Sequence, residues 1–167
     1  MKEVEMTTKL SQLQRNAADS AGNFPTGGFA QLVPELDVTD LEASLTFWCD
    51  LLGFSVAYDR PAAKFAYLER EGAQVMLCEI NGEWVTGALT YPFGRGINFQ
   101  IRTSDLAPIL DRLEKAEWPL FRAVSESWYR AGSNETGSRE FLVKDPDGYL
   151  LRFSQNIGIR QVSGKQA

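Results

Sequence analysis

The sequence predicts an α+β protein: two βαβββ modules in tandem, forming curved sheets around a shared cavity. Two observations carry that prediction. Short runs of alternating apolar and polar residues are separated by Gly, Pro and Asp turns, and an amphipathic stretch follows the first run of each half. The order then recurs: Val38-Thr39-Asp40-Leu41 and Thr103-Ser104-Asp105-Leu106 occupy equivalent places about 65 residues apart. Neither half has enough faces to close a core alone, so each module needs its neighbour.

Residues 1–28 read as a polar N-terminal extension, sparse in apolar positions and ending in the breaker cluster Pro25-Thr26-Gly27-Gly28. Thr8 to Ala18 suits a short helix with Leu10 and Leu13 on one side; the segment is either a frayed arm or one packed on a second subunit. The domain proper spans residues 29–157, with modules at about 31–80 and 97–156. In the first module Gln31–Val38 alternates as a half-buried strand. Thr39 or Asp40 then caps a helix through Leu52, with Leu41, Leu45, Trp48 and Leu52 at helical spacing and Gly53 as its stop. Strands Phe54–Tyr58, Lys64–Glu69 and Ala73–Ile80 follow, separated by turns at Arg60-Pro61 and Glu71-Gly72. In the second module Ile97–Thr103 is the strand, and Ser104 or Asp105 opens a helix through Ala116. Strands near Leu120–Val124, Arg139–Val143 and Tyr149–Ser154 complete it, with Asp145-Pro146-Asp147-Gly148 as the turn before the last. Residues 158–167 are expected to form a polar C-terminal tail.

Composition removes whole classes of function. The 167 residues hold 22 Asp+Glu against 17 Lys+Arg, two cysteines and no histidine. A net charge of −5 argues against a nucleic-acid partner, which calls for a basic face. Neither a signal-peptide pattern nor a bilayer-length apolar run is present, so no membrane partner is expected and the protein reads as soluble and cytoplasmic. Cys49 and Cys78 are too few for a disulfide scaffold and fit a reducing compartment. The missing histidine excludes a His-based triad, a His-type zinc site, a His/carboxylate iron site and imidazole acid–base catalysis. It also leaves neither cysteine a base to activate it.

Two runs then carry a family resemblance. Asp40-Leu41-Glu42-Ala43-Ser44-Leu45-Thr46-Phe47-Trp48-Cys49-Asp50-Leu51-Leu52-Gly53-Phe54 resembles the "D…S..FW.D.LGF" signature of the vicinal oxygen chelate superfamily. Gly137-Ser138-Arg139-Glu140-Phe141-Leu142-Val143-Lys144-Asp145-Pro146-Asp147-Gly148, continued to Phe153, resembles its C-terminal "G.REF.V.DPDG..L.F" hairpin. The likeness covers about Leu32 to Asn156 and, within the superfamily, is nearest to bleomycin-resistance-type proteins.

The resemblance implies where a divalent metal would sit in the superfamily's enzymes, and what this chain places there. The first-strand ligand position falls on Val33, its second-half counterpart on Asn98, the last-strand position on Arg152, and the fourth on Leu77 or Glu79. Val and Leu have no lone pair, Asn is a weak neutral ligand, and a permanent Arg cation repels a divalent ion. No metal and no cofactor are therefore expected. Arg152 is expected to pair instead with Glu140 or Glu79.

With the metal removed, the resemblance implies a homodimeric protein that binds and sequesters a small molecule, such as a glycopeptide antibiotic of the bleomycin kind, without altering it. The ligand is expected to be cationic or aromatic, since the chain is acidic and rich in strand and loop aromatics. Candidate ligand-binding residues are Tyr58, Phe65, Tyr67, Glu79, Trp84, Asn98, Gln100, Trp128, Glu140 and Arg152. Phe65 and Tyr67 share strand parity and belong to core or groove. Trp84 and Tyr91–Phe93 lie in the connector Asn81–Gly96, and Trp128-Tyr129 with the polar loop Ala131–Gly137 reads as a lid. Known bleomycin-binding members carry aromatic residues at the places of Asn98 and Gly137, a departure in the stacking surface. The alternatives are a lyase or dioxygenase of the superfamily with an atypical metal site, and a scaffold that has lost its ligand.

Overall fold

Each half of the chain builds its own sheet around a strand order that the sequence repeats. The computed structural model describes residues 21–162, in two units that meet in sequence between Leu89 and Thr90. The expected helix at Thr8–Ala18 and the last residues of the tail lie outside the described residues.

In the first unit, β1 (Ala21–Gly22) and β2 (Glu35–Val38) precede helix α1 (Leu41–Leu45), which runs on into a π-helical stretch, Thr46–Leu51. Strands β3 (Ser55–Arg60), β4 (Phe65–Arg70) and β5 (Ala73–Glu79) follow. The sheet order is β1-β3-β4-β5-β2, with β2 parallel to β5 and the other pairs antiparallel. The second unit repeats this with β6 (Asn98–Arg102), helix α2 (Ala107–Lys115), β7 (Leu120–Ala131), β8 (Asn134–Lys144) and β9 (Leu150–Gln161). Its order is β6-β9-β8-β7, with β6 parallel to β9. The predicted α+β class and the doubled βαβββ order are both present.

Local chemistry explains the first helix. Asp40 caps it, its Oδ1 accepting from the Ala43 N–H at 3.0 Å. The α-helix expected through Leu52 lasts only to Leu45; beyond it the Leu52 N–H reaches back to the Phe47 carbonyl at 3.1 Å, a wider turn. Adjacent Phe47 and Trp48 are both buried there, and Gly53, at φ +77°, ends the element. Register assigns the faces: Leu36, Val38, Ala66, Leu68, Val75, Leu77 and Glu79 share one side of the first sheet. Glu79 reaches the Leu41 N–H at 3.3 Å, which marks that side as the one toward α1.

Three boundaries depart from expectation. Residues 21–28 are part of the first unit: β1 pairs with β3, and the Asn23 N–H donates to the Ala57 carbonyl at 2.8 Å. The loop expected at Ala131–Gly137 is a tight turn at Gly132-Ser133, because Thr136, Glu135 and Asn134 continue β8 against Tyr129, Arg130 and Ala131. A ribbon so polar carries no apolar alternation to betray it. Residues 158–161, expected in the tail, extend β9, with Arg160 opposite Glu135 and Gln161 opposite Asn134.

Candidate functional site

The side of the first sheet away from α1 is aromatic. Tyr58, Phe65 and Tyr67 stand on it, with Tyr58 and Tyr67 stacked at 5.0 Å between centroids and Phe65 6.0 Å from Tyr58. Phe65 and Tyr67 are only 5% and 2% exposed and form a cluster with Cys78, flanked by Val33, Ala57, Ala63 and Met76. The Arg60 guanidinium lies 4.7 Å from the Phe65 centroid and 5.4 Å from that of Tyr58. Part of the cover is local: Phe29 meets Tyr67 edge-on at 5.6 Å. Gln74 ties that segment down, accepting from the Ala30 N–H and the Tyr67 hydroxyl and donating to the Gly28 carbonyl.

The same face carries two carboxylates absent from the sequence-based candidates. Glu35 lies opposite Met76 and Asp37 opposite Cys78 on neighbouring strands. Burial, then the Asp37 charge, pushes the Glu35 carboxyl up, while Arg60 draws it partly back. Burial also raises Asp37. The Cys78 thiol is pushed up to about 11 by burial, reinforced by Glu35 and Asp37, so it is a neutral packing group and no nucleophile. The signal for these acids is the alternation of Glu35 and Asp37 with core-facing Leu36 and Val38, a pattern that a solvated face produces equally well.

Glu79 is not on that face. Its carboxylate pairs with the Lys64 ammonium and accepts from the first amide of α1, and both contacts hold it below the usual carboxylate range. It supports the helix start. The expected ligand register, Leu77 or Glu79, is thus displaced by one residue; the positions on the aromatic side are Met76 and Cys78. Trp84 is 67% exposed in the connector. Phe93, also considered for a groove, is buried in the second unit at 5.9 Å from the Tyr149 ring.

In the second unit a polar cluster occupies one face. Gln100 lies opposite Arg152, and Asn98 opposite Leu150, on the parallel pair β6–β9. Arg152 grips Glu140 with two bonds, Nε to Oε2 at 2.5 Å and Nη2 to Oε1 at 2.8 Å. Of the two partners expected for Arg152, the structure selects Glu140. The Arg152 hydrogen bond, with help from Ser138, holds the Glu140 carboxyl low, and Tyr129 adds to the interactions that keep Arg152 charged. Ser138 and Ser154 share a hydrogen bond of 2.7 Å beside them. Trp128 has the opposite parity to Tyr129: it lies over Gly137 with the Arg160 guanidinium 4.0 Å from its ring. Of the Trp128-Tyr129 pair it is Tyr129 that reaches Arg152, while Trp128, a candidate for ligand binding, packs over Gly137.

These residues do not fit the metal that the superfamily's enzymes hold. Val33 packs beside the Phe65–Tyr67–Cys78 cluster, Leu77 is buried toward α1, and Arg152 is a cation already paired. Among the described residues no three His, Cys, Asp or Glu side chains gather in a metal-holding group.

Doubled βαβββ units with a parallel first strand in each sheet define a protein of the tandem glyoxalase-like fold. The chain belongs to the Glyoxalase/Bleomycin resistance protein/Dioxygenase superfamily, which matches residues 28–153. A bleomycin resistance protein of Geobacillus stearothermophilus is 28% identical over 137 residues, covering 76% of this chain and 97% of its own. A bleomycin resistance protein of Staphylococcus aureus matches to the same extent. Among solved structures, TioX from Micromonospora sp. ML1 is similar in fold, with a TM-score of 0.60 at 20% identity over 77% of this chain and all of that one.

Proposed function

We propose that this chain binds and sequesters a small molecule without altering it, and that bleomycin-type glycopeptides are the first ligands to test. The observation that carries the reading is the face where Tyr58, Phe65 and Tyr67 stand beside Glu35 and Asp37. The half-buried Tyr58 ring, backed by the buried Phe65 and Tyr67, supplies stacking area, and the two carboxylates supply attraction for a cation. The Asn98, Gln100, Glu140 and Arg152 cluster offers polar groups that orient a ligand in the second unit. Kinship with bleomycin resistance proteins supports the same reading, and with it a homodimer. No described helix is long and apolar enough to cross a membrane; we place the protein in the cytoplasm.

The test is isothermal titration with metal-free and copper-bound bleomycin, followed by mass spectrometry of the released ligand. Saturable binding with unchanged ligand mass is expected, and light scattering at tens of micromolar should give a dimer mass. An altered ligand mass, together with stoichiometric metal in the purified protein, would replace sequestration with catalysis.

A further inference from the structure

Residues 21–30 do more than cover the first sheet; they complete a pocket on it. Gly22, Asn23, Phe24 and Phe29 form one wall, and Tyr58 and Arg60 the other, around a cavity of about 330 Å³. That size is at the lower end of small-molecule sites, about 300–1,000 Å³. The segment is pinned rather than draped. Thr26 donates to both Glu69 carboxylate oxygens, at 2.7 Å from its N–H and 3.0 Å from its hydroxyl. Gly22, at φ +111°, sits so close that a Cβ there would lie 2.2 Å from the Ala57 carbonyl oxygen. Both contacts lie N-terminal to residue 28, where the superfamily match begins, while Phe29, Tyr58 and Arg60 lie within it.

The chemistry of the walls selects a ligand class. Phe24 and Phe29 meet edge-on at 5.6 Å, Phe29 and Tyr58 at 6.4 Å, and Phe24 is 80% exposed at the mouth. Rings so arranged leave an open face for a planar guest. Arg60 stacks on Tyr58 and Phe65 but makes no hydrogen bond or ion pair among the described residues; its effect on Glu35 acts only through space. A guanidinium over two rings, with its N–H groups unspent, has the donors to grip a carboxylate in two-pronged fashion. We propose that this pocket is a second binding site, taking a planar aromatic carboxylate with its ring against Phe24 and its anion on Arg60. The pocket shares Tyr58 with the acidic face, but the ligand class is opposite in charge, and charge tells the two kinds of binding apart.

The experiment titrates the full chain with naphthalene-2-carboxylate, its neutral carboxamide and the cationic 2-naphthylmethylamine, by calorimetry with backbone amide NMR. The carboxylate should saturate at one per chain and shift the amides of Asn23, Phe24 and Tyr58, with the amide and amine at least about tenfold weaker. Arg60→Gln should weaken the carboxylate about tenfold and leave the carboxamide unchanged; Phe24→Ala should weaken both. Phe24 lies at the mouth, so its variant keeps the test alive should Arg60→Gln misfold. Absence of saturation, equal binding of the amine, or carboxylate binding indifferent to both substitutions overturns the proposal. Copper-bleomycin titrated into the Phe24→Ala sample reports the acidic face, because that variant leaves Tyr58, Arg60, Glu35 and Asp37 in place.

Discussion

Arg152 and Glu140 meet diagonally across neighbouring strands and share two hydrogen bonds, at 2.5 and 2.8 Å. The last-strand position that the family resemblance assigns to a metal ligand thus holds a cation whose charge is already answered. Glu140 has its carboxyl held low by Arg152 first and Ser138 next. A depressed carboxyl contributes stability that is present above its unfolded value, near 4.5, and is lost as pH falls through its lower folded value. Urea midpoints measured from pH 7 to pH 3 should therefore fall below about pH 4.5. Glu140→Gln should flatten part of that fall and cost about 1–3 kcal/mol at pH 7, since Arg152 is left without its anion. An unchanged pH profile in the variant would remove Glu140 from the acid response.

The Gly137–Trp128 contact makes a steric prediction. A Cβ on Gly137 would lie 2.6 Å from Ile157 Cγ1 and 2.9 Å from Trp128 Cη2. Relief needs both side chains to move, and the Trp128 ring is also packed by the Arg160 guanidinium at 4.0 Å. Gly137→Ala should lower stability by about 1–3 kcal/mol through overpacking. The measurement is a thermal melt paired with tryptophan emission, which should shift to longer wavelength as Trp128 is lifted off the ribbon.

The Cys78 thiol, pushed up to about 11 by burial and by Glu35 and Asp37, should be chemically silent. At pH 8 only about one thiol in a thousand is ionised at such a value. Burial also raises Cys49. Disulfide-reagent labelling at pH 8 should be slow at both in the folded protein and complete within minutes in urea. Fast labelling of Cys78 without denaturant would contradict the packing described for that strand.

How much of the fold is legible in the sequence depends on whether a pattern has one physical cause or two. The doubled Val-Thr-Asp-Leu and Thr-Ser-Asp-Leu openings predict the repeated βαβββ order, since an Asp at the end of an apolar run suits a helix start. Asp40 caps its helix, whereas the second helix begins one residue later, with Leu106 at the cap and Asp105 accepting from the Ala107 N–H. Tyr58, Phe65 and Tyr67 share a face as strand parity requires. The β7–β8 ribbon is hidden because Asn134-Glu135-Thr136 has no apolar face, and without the ribbon's register nothing separates Tyr129 from Trp128. Glu79 fails on register: a one-residue slip moves a strand side chain to the opposite face. Glu35 and Asp37 escape because alternation tells which residues avoid the core, and not what else they meet. Arg60 escapes because its pocket is completed by residues 22–29, far away in sequence.

Glu35 and Asp37 offer the sharpest separation of function from stability. Both carboxyls are raised, Glu35 by burial and then by Asp37, and Asp37 by burial. A raised carboxyl favours the native state when protonated, so the native state is penalised as pH climbs from the unfolded value through the folded one, and at pH 7 that penalty is fully present. Glu35→Gln and Asp37→Asn should therefore raise the Tm at neutral pH and lose that advantage as the pH falls below the unfolded carboxyl values, 4.5 and 3.8. A cationic ligand would offset that cost, and the neighbouring Tyr58 ring suits one. The same substitutions should weaken copper-bleomycin at pH 7, and wild-type affinity should decline as the buffer is acidified through the raised Glu35 value. Calorimetry at pH 7.5, 6 and 5 on wild type and Asp37→Asn is the measurement. A variant that is both less stable and equally tight would show that these carboxylates support the fold and meet no ligand.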